Sequence, residues 1–301
     1  MANPVTTLGL AGLTLLALVA WGLAIRRLRR ERATAALHWL LGGLTLGAAA
    51  LFGYRVSQSG QWQPLTAHLD GLLLISALFA GAVWYIHLRP RLAGLSAFAL
   101  PVLGLLLAWG VCASQWTYRP FHLDTLHPVW NGAHLAGVYL GTLFASLAAM
   151  AGGMFLFVQR RLKQKLPLSG LGRLASLETL ETLIIRSATL GFVLLTLGLV
   201  TGVVILSEGG EIAGGGWWAG AKIALATLAW LVFALVMNVR FASSFRGARA
   251  AWLAIGGLVL LLATYGVVTA LPATAPGPAA ASSGVQAPAR ADMLTLCTDR
   301  D

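Results

Sequence analysis

The sequence predicts an all-α, polytopic integral membrane bundle of about eight transmembrane helices with both termini outside, and three observations carry that expectation. Apolar residues make up 58% of the 301-residue chain and charged residues only 10%, whereas soluble domains carry about a quarter charged residues. Mean hydropathy is +0.79. About eight apolar stretches approach or exceed the ~20 residues a helix needs to cross a bilayer, and their backbone polar groups can be satisfied in lipid only by helical bonding.

In chain order the expected spans are Leu8–Ile25, Ala35–Tyr54, Leu69–Leu88, Leu92–Cys112, Val129–Val158, Ile184–Leu206, Trp218–Met237 and Ala251–Leu271. Basic residues fall in alternate connections: RRLRRER from Arg26, HLRPR from His87, RRLKQK from Arg160, and the run from Arg240 to Arg249. Short loops rich in Arg and Lys stay cytoplasmic. The opposite connections hold only Arg55, Arg119 and the boundary residue Lys222, so an even number of spans leaves both termini outside. No basic region precedes the first span and a dense one follows it, so a secretory leader is not expected.

The net charge of +11 is therefore a topology signal and an attraction to anionic lipid rather than a nucleic-acid footprint. Cys112 and Cys297 are the two cysteines and no CxxC exists, so dithiol exchange within the chain is not supported and unpaired thiols are expected. From Pro272 the chain reads PATAPGPAAASSGVQAPAR, which lacks helical periodicity and enough apolar surface to fold. The expected organisation is a transmembrane domain over 1–271 and a disordered Ala/Pro-rich external tail over 272–301.

Three segments carry candidate function. Leucines at 171, 174, 177, 180 and 183 suggest a short amphipathic helix on the cytoplasmic surface, or a connector that aims the next span. Ser176 would cap its second part, and Glu178 and Glu181 would favour the positive end of the dipole. In the fifth span, Ala133, Gly137, Gly141, Ala145, Ala149 and Gly153 recur every fourth position, a small-residue ridge along which another helix can approach. About 100° around from that ridge is His134, at the outer end, with His127 and His122 further out. His68 opens the third span on the same side, and His38 and His87 fall at the inner boundary. Neutral imidazole ligates haem iron and other transition metals, but no HxxxH or HExxH spacing is present, and a hydrogen-bonded interface histidine is the competing reading of His134. The third segment, EGGEIAGGGWWAGAK, sets Trp217 and Trp218 beside Lys222 at a membrane boundary. Paired indoles there either anchor at the interface or form a shelf for a planar ligand.

Taken with their order, PLTAHLDGLL, HLAGVYLGTLF, QRRLKQK, SLETLETLIIRSATLGFVLLTLGLVTG, AKIALATLAWLVFALVMNVRF and FRGARAAWLAIGGL resemble the cytochrome c assembly protein family. These are haem-handling membrane proteins of the CcsA, CcmC and HemX type, and the chain looks nearest to the simpler eight-span, HemX-like members. The resemblance implies an outward-facing haem site in which histidines flank a tryptophan-rich loop. His134 matches the histidine opening the family's corresponding span, Trp217 a tryptophan of the loop motif, and Lys222 the lysine that follows it. Ala219 and Gly220 stand where that motif has its last Trp and its Asp, Asn238 stands where many members carry histidine, and no histidine follows the eighth span. A site weaker than the family's two-histidine one is thus implied, using His134 with His127, His122 or His68.

The favoured reading is a bacterial inner-membrane accessory protein of cytochrome c maturation or haem handling, not an enzyme, that binds or positions haem at the outer face. His134 would be the iron ligand, Trp217 and Trp218 the porphyrin shelf, and Lys222 or Arg119 a propionate partner. Its expected partners are the lipid bilayer, haem and other cytochrome c maturation proteins, with no nucleic acid. Two classes compete: an assembly factor or regulator of haem biosynthesis acting through its cytoplasmic SLETLET helix without haem, and a small-solute transporter. The transporter is disfavoured because the span interiors contain almost no ionisable residues.

Overall fold

The computed structural model describes residues 4–30, 35–59, 68–89, 92, 94–114, 128–165, 174–208, 217–238 and 247–270. Among them the chain forms eight helices: α1 (Pro4–Arg30), α2 (Ala35–Ser59), α3 (His68–His87), α4 (Ser96–Ser114), α5 (Pro128–Lys163), α6 (Leu177–Glu208), α7 (Trp217–Asn238) and α8 (Ala248–Ala270). The expected tail over 272–301 and the connection bearing Arg119, His122 and His127 lie outside the described residues. Six helices, α1 to α6, are long and apolar enough to cross a membrane. Counted over the described side chains, the apolar stretches Ala224–Leu235 of α7 and Ala248–Thr264 of α8 are shorter. The chain is a polytopic membrane helical bundle.

Met1–Ala270 forms one compact unit built from two rings of four helices. Helices α1, α2, α3 and α4 each meet the next, and α4 closes on α1; α5, α6, α7 and α8 repeat the arrangement. Helices α3 and α4 pack on α5 and join the rings. Leu37, Leu41, Leu44, Leu73, Phe79 and Leu103 fill the interior of the first ring, and Phe233 is fully buried in the second. The outward faces are apolar too. On α6, Leu190, Val193, Leu197, Val200 and Val203 form an exposed stripe. In water such a stripe would be an aggregation hazard, whereas lipid solvates it at no cost.

Several threonine hydroxyls within the spans are satisfied locally. Thr45, Thr142, Thr189, Thr196 and Thr264 each donate a hydroxyl proton to the carbonyl four residues earlier, which removes the penalty of an unpaired hydroxyl in hydrocarbon. Pro101 sits inside α4 and has no N–H to offer the carbonyl of Ala97. Trp21 of α1 fills that gap by donating its indole N–H to the Ala97 carbonyl at 3.1 Å. An apparent helix breaker thus becomes the fastening between α1 and α4.

One expectation is corrected at the start of α6. Ser176 does cap a helix, since its Oγ accepts the Thr179 N–H at 3.2 Å, but that helix is α6 itself, continuous from Leu177 to Glu208. Leu180 and Ile184 are buried, and Leu174, Leu177 and Leu183 pack on the core. The SLETLE segment is therefore the first turns of a spanning helix rather than a separate surface helix. The apolar period that suggested a membrane-surface face is used for packing instead. Of the other residues of the proposed surface helix, 166–173 lie outside the described residues.

Candidate functional site

The site is built on the antiparallel pair α5 and α6, the most extensive helix interface of the bundle. Its seam consists of missing side chains. A Cβ placed on Gly137 would stand 2.7 Å from the Gly198 nitrogen and 2.8 Å from the Leu194 oxygen, and one on Gly198 would stand 3.0 Å from Cγ2 of Val138. Gly141 faces Leu195, and Gly191 faces the backbone at Gly141 and Ala145. The ridge read from the sequence is thus a contact within one chain over its N-terminal part, Gly137 to Ala145. Further along, Gly153 instead faces Phe98 of α4.

His134 continues this seam by one turn. The imidazole lies against Gly202, where a Cβ would be 2.8 Å from its Cε1 and 3.0 Å from its Nδ1. Nδ1 is 2.7 Å from the Gly198 carbonyl oxygen. A carbonyl can only accept, so Nδ1 carries the proton, and Nε2 is the basic nitrogen of the neutral ring. Thr201 shares the same acceptor, donating its hydroxyl to Leu197 O at 2.6 Å and Gly198 O at 3.2 Å. The ring is therefore fixed in tautomer and plane by α6. Metal-binding histidines are oriented in this way, with the non-ligating N–H donated to a carbonyl.

The other candidates stand as follows. His68 is the first residue of α3 and its side chain is outside the described set. Its helix is placed by Tyr139 of α5, whose hydroxyl occupies the space a Cβ on Gly71 would need. One turn from Gly71, His68 is consequently at about the depth of His134, on a different helix. Trp217, Trp218 and Lys222 lie in the first turns of α7, their side chains likewise outside the described set. That helix starts at the membrane face where α6 ends, Glu208 being six residues beyond Gly202. His127 and His122 precede α5 and, like Arg119, lie outside the described residues. Among the described residues no three His, Cys, Asp or Glu side chains converge.

His38 and His87 are at the opposite membrane face, since α3 has 20 residues and so spans about 30 Å at 1.5 Å per residue. Trp84 donates its indole N–H to His38 Nδ1 at 3.3 Å, and Arg27 Nη1 lies 3.1 Å from His87 Nε2. The rings are 6.5 Å apart between centroids, and they tie α1, α2 and α3 together. Sequence reasoning missed a second polar cluster at the His134 end. Arg55 of α2 and Asp70 of α3 form an ion pair, with side chains only 16% and 7% exposed. The signal was present: the opposite charges lie where α2 ends and α3 begins.

With this geometry in place, comparison with known proteins gives a consistent result. The family model described as "Cytochrome C assembly protein" matches residues 63–272, more than half of the chain. A relative named "Cytochrome c biogenesis protein CcsA" from Prochlorococcus marinus (strain MIT 9303) is 27% identical over 296 residues, covering 88% of this chain and 90% of the relative. Proteins of the same name from Synechococcus sp. (strain RCC307) and Prochlorococcus marinus subsp. pastoris are 37% and 40% identical over 89 residues, each covering 29% of this chain and 27% of the relative. No solved structure matches the chain.

Proposed function

The chain belongs to the cytochrome c assembly protein family, and from that premise we propose that it serves cytochrome c maturation by holding haem at the membrane face where His134 lies, without chemical turnover. One observation supports the reading: the Gly198 carbonyl accepts a hydrogen bond from Nδ1 of His134, so Nε2 is the nitrogen that would bind iron. Haem, when bound, would supply an iron centre that takes nitrogen ligands. His134 would hold the iron, with His68, His127 or His122 as a further ligand.

Trp217 and Trp218 are assigned to the porphyrin shelf, and Lys222 and Arg119 to the propionate carboxylates. These assignments rest on the family motif and on chain position. The membrane is a bacterial inner membrane, with the His134 face and both termini outside and the 272–301 tail external to the transmembrane domain. Its partners are the bilayer and other cytochrome c maturation proteins. Cysteines introduced after Arg32 and after Lys165 should then resist a membrane-impermeant thiol reagent in intact cells. Labelling of either from outside would overturn the orientation.

Haem titration of the detergent-purified protein, followed by the Soret band, tests the site. Loss of an orienting partner of a metal-bound histidine costs about 10–100-fold in affinity, so loss of the ligand itself in His134→Ala should cost at least about tenfold. His38→Ala and His87→Ala change histidines at the far face and should leave occupancy near wild type. No Soret shift in wild type, or equal losses for all three variants, would remove the haem reading and leave the assembly-factor alternative.

A further inference from the structure

We infer that the end of α5 remote from His134 is a binding site for the phosphate of an anionic phospholipid. Phe157, Arg160, Arg161 and Gln164 recur at i, i+3, i+4 and i+7, which puts them on one face of the helix. They line a shallow, open groove of about 330 Å³. Phe157 is about 35 Å along the axis from His134 at 1.5 Å per residue, slightly more than the ~30 Å hydrocarbon core. The phenyl ring is consequently at the boundary of the core, and the two guanidinium groups are at headgroup depth.

The groove has an apolar floor and a cationic rim. The Phe157 ring packs on Phe98 of α4 with centroids 5.6 Å apart, so this face of α5 turns toward α4 rather than toward the glycine seam with α6. Above it the Arg161 guanidinium carbon lies 5.4 Å from the Phe157 centroid. Stacking on a ring holds a guanidinium in place while its edge keeps N–H donors for a phosphate, a geometry lysine cannot reproduce.

Charge complementarity identifies the occupant. Among the described residues no carboxylate is within ion-pair distance of Arg160 or Arg161, the single ion pair there joining Arg55 to Asp70. Lys163 and Lys165 are exposed beside them and add to the same field. The C-terminal end of a helix opposes an anion with about half a negative charge, which four side-chain cations outweigh. A basic groove at the end of a membrane helix with an apolar floor suits a phospholipid, the phosphate on the arginines and an acyl chain along Phe157.

Native mass spectrometry and thermal unfolding of the full chain with added phosphatidylglycerol or phosphatidylcholine test the site. Wild type should retain phosphatidylglycerol about tenfold in preference, the R160Q/R161Q variant should lose that preference, and R160K/R161K should keep only part of it. K163Q/K165Q removes the same charge at the same helix end without touching the groove lining and should keep most of the preference. An equal loss in K163Q/K165Q would reveal a diffuse field and overturn the site, as would an unchanged preference in R160Q/R161Q. Stabilisation by inorganic phosphate equal to that by phosphatidylglycerol would overturn the lipid as occupant. The folded state of each variant is read from its unfolding curve without added lipid; if the Gln pair does not fold, R160K/R161K decides, with unchanged preference overturning the site.

Discussion

Gly137→Leu is expected to force α5 and α6 apart and to cost more stability than Gly141→Leu on the same seam. A Cβ there meets backbone, the Gly198 nitrogen at 2.7 Å, the Leu194 oxygen at 2.8 Å and the Gly198 Cα at 2.9 Å, and backbone cannot turn aside as a side chain can. At Gly141 the nearest atoms belong to the Leu195 side chain, so part of the strain there can be relieved by a new rotamer. Overpacking typically costs about 1–3 kcal/mol and occasionally more, and Gly137→Leu should lie at or above the top of that range. Gly43, where nothing lies within 4 Å, is the control. If Gly137→Leu and Gly43→Leu unfold in detergent at the wild-type temperature, the seam is not a close contact. Because His134 sits one turn further along the same seam, the Gly137 variant should also weaken any haem binding.

The spans were legible because an apolar run of the right length has a single stable solution in lipid. Their ends were less so. The fifth span was expected at Val129–Val158, yet α5 continues to Lys163, and the sixth was expected from Ile184, yet α6 starts at Leu177. Hydropathy marks the part of a helix within the hydrocarbon, while hydrogen bonding carries the helix on through Arg160 and Arg161, or starts it early from the Ser176 cap. The small-residue ridge was legible from its period of four. Its partner was not, because the choice between α6 and a second copy is made by tertiary packing. His134 was legible as a histidine near the end of a spanning helix, but its acceptor is a backbone carbonyl 64 residues away. No side-chain pattern announces a carbonyl. The glycine at 202 that makes room for the ring reads, in sequence, like any other glycine of a membrane helix.

Breaking the Arg55–Asp70 pair on one side only is the other change expected to have a large effect. Asp70 is buried and Arg55 nearly so, so Asp70→Leu leaves a guanidinium in a low-dielectric site without its counter-ion, and Arg55→Met leaves a carboxylate there. Removing one partner of a buried pair costs about 3–5 kcal/mol, whereas replacing both by apolar residues is often neutral or stabilising. The double variant Arg55→Met with Asp70→Leu should therefore recover most of what either single change loses. That recovery, measured as a coupling energy by thermal or denaturant unfolding, isolates the pair from the other effects of each substitution. Single variants as stable as wild type would mean that both side chains reach water, and a double variant worse than either single one would mean that the pair does not act as a unit. The effect should extend to the site, because Asp70 is in the first turn of α3, two residues from His68, and Gly71 beside it receives the Tyr139 hydroxyl from α5. An ion pair that fixes the start of α3 against α2 thereby sets the position of His68 relative to His134. If His68 helps hold haem, the double variant should regain stability while its haem affinity stays below wild type.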